Sequence, residues 1–369
     1  MSVHLHTPAT GGSAPAADPP RAIRATAGKA GAGRRFGSTV LVGGMVLLAL
    51  SVAAAVTIGT ADLSVADVGR AVAAHLGLPA RPLPRLADSI VWDLRMPRVL
   101  LAGLVGSGLA LCGAVLQALT RNPLADPFLL GISSGASTGA VAVLVLGLGV
   151  GSVSLSTGAF LGSAAAFGAV LLFAGRHWTE STRIVLSGVA VSQLFGAVTS
   201  LIVISDASVQ NTRSVTFWLL GSLTAASWSS VTLASAVAAA GFAVCWWYAP
   251  ALDAFAFGVD TAESLGFAAG RTRLVLFTTT ALTAAVLVAA SGAIGFVGLT
   301  IPHAARLLVG TRHRVLLPTC VVAGAVFLIW ADTAARTVFT PQELPVGVLT
   351  ALIGVPVFAV VMRRRSRTR

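Results

Sequence analysis

The chain has 369 residues, of which 56% are hydrophobic and only 10% charged, with a mean hydropathy of +0.87 and a formal charge of +12. That composition excludes a soluble enzyme and a secreted disulfide scaffold, and it describes an integral membrane protein. Apart from Lys29 the basic residues are all arginine, placed between long apolar runs, so the positive balance reads as membrane topology with no nucleic-acid partner.

In chain order, residues 1–37 are rich in Ala, Gly and Pro and carry Arg21, Arg24, Lys29, Arg34 and Arg35, which predicts a disordered cytoplasmic tail. The run 36–61 carries no charge and is too long for a signal-peptide core, so it predicts a retained first span. Charge-free runs follow at 99–120, 127–175, 184–205, 214–252, 274–305, 315–331 and 344–362. A spanning helix needs roughly 20 apolar residues. Barrel strands alternate apolar and polar over about 10 residues, so these runs exclude an outer-membrane barrel.

The run 127–175 divides into two spans at Gly147, Gly149, Gly151 and Ser152. The run 214–252 holds one span near 229–249, after a short external helix around 217–223. The run 274–305 breaks at 291–298, which gives two spans, the second carrying Pro302, His303 and Arg306. The predicted fold class is therefore an all-α membrane protein: ten transmembrane helices over 38–362, a basic tail at 363–369, and both termini cytoplasmic. Charge agrees with this count. The inner segments hold both arginine-rich ends with Arg121, Arg176, Arg183, Arg271, Arg273, Arg312 and Arg314, against Arg70, Arg81, Arg85, Arg95, Arg98, Arg213 and Arg336 outside.

Cys112, Cys245 and Cys320 fall inside apolar runs, which predicts small hydrophobes with no disulfide and no metal cluster. Ala102, Gly106 and Ala110, with Gly103 and Gly113 beside them, predict a helix that its neighbours approach closely. Intramembrane ionisable groups reduce to His303, Arg306 and Asp332. Asp332 lies one turn before Arg336 and reads as a local ion pair, and His303 as a partner for backbone groups that Pro302 frees. Trp218, Trp228, Trp246, Trp247 and Tyr248 read as interfacial aromatics. A phosphate-binding P-loop needs lysine followed by Ser or Thr, whereas Lys29 precedes Ala30, so energy for any pumping must come from another subunit.

The segment 94–137, LRMPRVLLAGLVGSGLALCGAVLQALTRNPLADPFLLGISSGAS, closely resembles the signature of the FecCD family, the permease subunits of ABC importers for iron-siderophores and vitamin B12. WLLGSL at 218–223, AFAFGVDTAESLG at 254–266, GFVGLTIPHAARLLVG at 295–310 and DTAARTVFTPQELPVGVLTALIGVPVF at 332–358 follow in the family's order, so the resemblance covers about residues 40–362. It implies a permease domain at 38–362 paired with a second permease subunit, identical or similar, in the membrane lipid. It also implies two ATPase subunits inside, which bind the ATP and Mg so that this chain holds no cofactor, and a substrate-binding protein outside. The substrate so implied is a ferric siderophore that arrives already chelated, with vitamin B12 or haem as alternatives. An ion-coupled secondary transporter relying on Asp332 or His303 and a membrane enzyme using His303 are the rival classes.

Residue by residue, the resemblance makes Arg95, Arg98 and Arg336 docking points for acidic groups of the binding protein, a task that suits a planar fork. It makes the loop at about 253–270 the coupling segment for the ATPase, with Asp260, Ala262, Glu263, Leu265 and Gly266. It places Asn122 and Leu124 of RNPLA and Ser181 and Thr182 of ESTR at a cytoplasmic gate, where Pro123 and Pro127 stiffen the first loop.

Overall fold

The computed structural model describes residues 21–59, 61, 63–147, 154–175, 180–205, 209–339 and 342–366. It divides into two compact units, Met1–Thr39 and Val40–Arg369. Helix α1 (Arg21–Thr57) starts in the first unit, inside the stretch 1–37 read as disordered. Residues 21–35 are dense in Ala and Arg, both strong helix formers, and Pro20 stands just before the first turn. Residues 1–20 lie outside the described residues.

Within the second unit α1 leads to α2 (Val65–His75), where Ser64 and Asp67 form a reciprocal capping box. Next, α3 (Arg85–Ser89), a π-helical turn (Ile90–Arg95) and α4 (Met96–Thr120) make one continuous helical run. Arg121 ends it in the left-handed region at φ 51°. Asp126 then caps a 3-10 turn (Pro127–Leu130), accepting from the N–H groups of Phe128 and Leu129 at 3.1 and 3.2 Å.

The chain continues through α5 (Ile132–Leu146), α6 (Leu155–Ala174), α7 (Ser181–Ser205), α8 (Val209–Leu219) and α9 (Trp228–Trp247). Two short helices, α10 (Ala249–Phe255) and α11 (Val259–Ser264), precede α12 (Ala269–Ser291), α13 (Val297–Val309), α14 (His313–Thr337) and α15 (Val346–Ser366). No strand occurs among the described residues. Seven helices there are long and apolar enough to cross a membrane, and α5, α13 and residues 346–359 of α15 are shorter apolar helices. The helix predicted at 217–223 lies earlier, since α8 ends at Leu219 and the chain leaves helix over 220–223, where Gly221 has φ 77°, while the predicted break at 291–298 is the turn between α12 and α13.

Helix α4 lies at the middle of the second unit, packed against α14, α12, α13 and α9. Its small residues account for that. A Cβ on Gly106 would overlap the carbonyl oxygen of Gly324 on α14, and one on Gly113 would overlap that of Gly298 on α13. A second close set joins α5 to α6, where Gly139 faces Gly158 and Gly135 faces Gly162. The cysteines are buried and free, as read from sequence.

Candidate functional site

At one end of the helices, Arg95, Arg98 and Arg336 line one cavity of about 340 Å³ together with Gly59, Thr224 and Glu343. The π-helical turn ends on Arg95 and Arg98 follows in the first turn of α4, and such turns insert an extra residue that re-aims side chains. Arg95 is 7% exposed and donates to the carbonyls of Val56, Thr57 and Ala61 at 3.0, 2.9 and 2.8 Å. Val56 and Thr57 carry orphan acceptors of the last turn of α1, where a cation also meets the negative end of the helix dipole, and Ala61 lies in the segment beyond it. Gly59 makes room, since a Cβ there would lie 2.6 Å from the Arg95 guanidinium. Arg336 donates to Ala55 O, so two of the three arginines close the end of α1.

Asp332 is 1% exposed and, besides the i, i+4 ion pair with Arg336, takes hydrogen bonds from Arg98 on α4 at 2.9–3.1 Å. Arg336 Nε stands 3.9 Å away. A planar fork on α4 meets the carboxylate face-on, which a side chain one turn along the same helix does not. The remaining Arg98 nitrogen donates to Glu343 at 2.9 Å, a half-exposed carboxylate between α14 and α15.

At the opposite end, α10 and α11 meet at Gly258, and α11 stops at Gly266 with φ 87°. Gly266 N–H donates to Glu263 O and Phe267 N–H to Ala262 O at 2.9 and 3.0 Å, the paired bonds of a Schellman stop. Ala262 is buried and seats α11, while Asp260, Glu263 and Leu265 are exposed. Leu265 and Phe257 are 64% and 79% exposed, so the segment presents an apolar surface. Asp253 anchors it, accepting from the backbone and Nδ1 of His313 at 2.9 and 2.6 Å. Burial pushes the Asp253 carboxyl up, but the His313 hydrogen bonds and the nearby Arg312 charge outweigh it and hold the group below the usual carboxylate range.

Asn122 and Leu124 form an Asx turn, with Asn122 Oδ1 accepting from the Leu124 N–H at 2.9 Å. Ser181 and Thr182 begin α7. The two segments are brought together by Arg273 of α12, 4% exposed, which donates to Leu119 O at 2.7 Å and to Ser181 Oγ at 2.9 Å.

Above Arg121, a cavity of about 880 Å³ is lined by Gln117, His303, Arg306, Arg312, Asp253 and Phe257 among others. Gln117 corrects the reading of His303. Pro302 leaves the carbonyl of Gly298 without its helical donor, and it is Gln117 Nε2 that reaches that oxygen at 3.2 Å. His303 Nδ1 lies 3.3 Å from Leu299 O instead. The other end of the Gln117 amide accepts from Arg306 at 2.6 Å. Gln117, Arg273, Glu343 and the Asp253–His313 pair escaped the sequence reading. Only Gln117 carried a local signal, as the one amide in the apolar run 99–120.

The cobalamin import permease BtuC of Halobacterium salinarum is 41% identical over 333 residues, covering 89% of each chain. The haemin transport permease HmuU of Yersinia pestis is 39% identical over 75% of this chain and 84% of its own. The iron(3+)-hydroxamate import permease FhuB of Bacillus subtilis is 33% identical over 90% and 85%. A solved structure described as an inward-facing conformation of a metal-chelate type ABC transporter aligns with a TM-score of 0.78 at 30% identity, covering 89% of this chain and 99% of that one. Residues 47–364 match the FecCD transport family, and the chain belongs to that family as a multi-pass membrane permease.

Proposed function

We propose that this permease moves a bulky metal chelate, a ferric siderophore in the first reading, from an external binding protein to the cytoplasm by alternating access. It works as one of two permease subunits, identical or similar, each crossing the membrane ten times with both termini inside. Two separate ATPase subunits hydrolyse the ATP. The observation that carries the reading is the family match over residues 47–364, in a chain whose sole lysine stands outside any P-loop.

In this scheme the outer arginine cavity receives a carboxylate of the binding protein, with Arg98 as the accessible fork. Arg95 and Arg336 hold the cavity's floor through α1. The exposed Leu265 and Phe257 with Asp260 and Glu263 form the knob that the ATPase grips, Ala262 and Gly266 setting its shape. Asn122, Leu124, Ser181 and Thr182 narrow the inner end of the pathway. Cobalamin is the second reading, favoured by the 41% identity to a cobalamin permease, and haemin the third.

Uptake of radiolabelled ferric hydroxamate, cobalamin and haemin, measured in cells lacking this chain and in cells depleted of the partner ATPase, tests it. Loss of ferric hydroxamate uptake in both backgrounds is the expected result. Loss confined to cobalamin or haemin moves the substrate, and uptake that survives ATPase depletion overturns the ATP-driven scheme.

A further inference from the structure

Arg273 occupies a junction that neither the sequence pattern nor the family match assigns. It stands one turn into α12, which begins at Ala269, three residues after the Gly266 stop of the coupling segment. Its guanidinium is 5.8 Å from the ring centroid of Phe255, the last residue of α10. One nitrogen reaches both Leu119 O, at the end of α4 just before the Asn122 turn, and Ser181 Oγ, at the start of α7. Ser181 Oγ is itself 3.4 Å from the same Leu119 oxygen, so the two proposed gate segments share one donor.

Burial of an arginine at 4% exposure is costly, and a cation held there is matched by acceptors and a π face. The acceptors here are a carbonyl at the negative end of α4 and a hydroxyl at the head of another helix. A displacement of α10 and α11 reaches this group by two routes, covalently through Ala269 and across the Phe255 ring. Both gate segments then feel it through hydrogen bonds from a single nitrogen, which cannot move without lengthening one of them.

We infer that Arg273 is the positioning residue that transmits movement of the coupling segment to the inner gate, by holding the end of α4 and the head of α7 on one guanidinium braced against Phe255. This rests on the coupling and gate roles proposed above. The residue touches no substrate and acts through Leu119 and Ser181.

The test uses the complex of permease, ATPase and binding protein in proteoliposomes, reading labelled ferric hydroxamate or cobalamin uptake and ATP hydrolysis in the same vesicles. Arg273→Ala is expected to keep ATP hydrolysis within about twofold while uptake per ATP falls about tenfold or more, with Arg273→Lys recovering part of the loss. Ser181→Ala and Phe255→Leu, which leave the arginine in place, are each expected to lower uptake per ATP about threefold. Neither is expected to add a further loss in the Arg273→Ala background. Uptake and hydrolysis that fall in equal proportion overturn the inference, as do losses that multiply in the double variants. Should Arg273→Ala fail to assemble, the Ser181 and Phe255 variants decide alone: an unchanged ratio in both overturns it. A wild-type complex that moves neither probe, nor labelled haemin in their place, refutes the transport reading instead, and is recognised before any variant is made.

Discussion

Arg98 and Asp332 meet across the α4–α14 contact with both carboxylate oxygens engaged, three hydrogen bonds of 2.9–3.1 Å joining residues 234 positions apart. Asp332 is 1% exposed, so the pair pins α4 to α14 in a dry setting. Removing one partner of such a pair leaves a buried charge, at a cost of about 3–5 kcal/mol. Asp332→Asn is therefore expected to lower the melting temperature of the purified complex markedly, and joint Arg98→Met and Asp332→Leu to restore most of it. Unchanged melting in Asp332→Asn would sink the assignment.

Glu343 occupies the Arg98 nitrogen that Asp332 leaves, and it is the more exposed of the two carboxylates. A docking carboxylate must displace it or share the cation. Glu343→Gln is expected to tighten binding-protein association by roughly 3- to 10-fold, on the order of 1 kcal/mol for one charge-assisted bond. Binding measured on the reconstituted permease in low and moderate salt checks this, and weaker binding would contradict it.

Gly106 and Gly324 let α4 and α14 touch backbone to backbone. Gly106→Val is expected to abolish recovery of folded protein, because overpacking of this kind costs about 1–3 kcal/mol even where neighbours can shift, and here the obstacle is a carbonyl. Gly43→Ala, where nothing lies within 4 Å, serves as the control and is expected to be silent. Yield of monodisperse protein after detergent extraction separates the two.

Gly266 has open space around it, so its importance is purely conformational. Gly266→Ala forces an L side chain to φ 87° at a cost of roughly 1 kcal/mol, or about fivefold. The expected result is a several-fold weaker association with the ATPase and a loss of permease stability no larger than that roughly 1 kcal/mol. Co-purification at graded ATPase concentrations measures it.

The Asp253–His313 contact sets an acid limit. Because the folded Asp253 carboxyl lies below its ordinary value, its contribution is complete above the usual carboxylate range and is lost as pH falls through the lower, folded value. Thermal melting followed from pH 6 to pH 3 is expected to fall at the acid end in the wild type. In Asp253→Asn it should start lower and fall less steeply.

Apolar runs were legible because a bilayer imposes length and composition locally, so α4, α12 and α14 stand where charge-free sequence placed them. The end of α5 at Gly147 and the break at 291–298 were legible too, since glycine marks where a helix stops. What sequence could not supply was pairing across the fold. Asp332 pairs with Arg98 of another helix as well as with its neighbour Arg336, and the Gly298 carbonyl meets Gln117. Both cross-helix contacts depend on which helices lie side by side, and nothing in a single helix's pattern encodes that. The helical start at Arg21 was missed for the opposite reason: alanine content was read as low complexity when it is also the strongest local bias toward helix.

The glycine contacts carry one more consequence. Where a helix touches its neighbour through a carbonyl set against a missing side chain, the two cannot slip along each other by a residue, for the next position would bring Val105 or Ser107 to the place of Gly106. Helices α4, α13 and α14 are thereby keyed in register as one body, and α5 with α6 as another. The alternating access proposed above would then proceed by rolling of keyed bodies about the larger side chains between them, with the helices themselves unsheared.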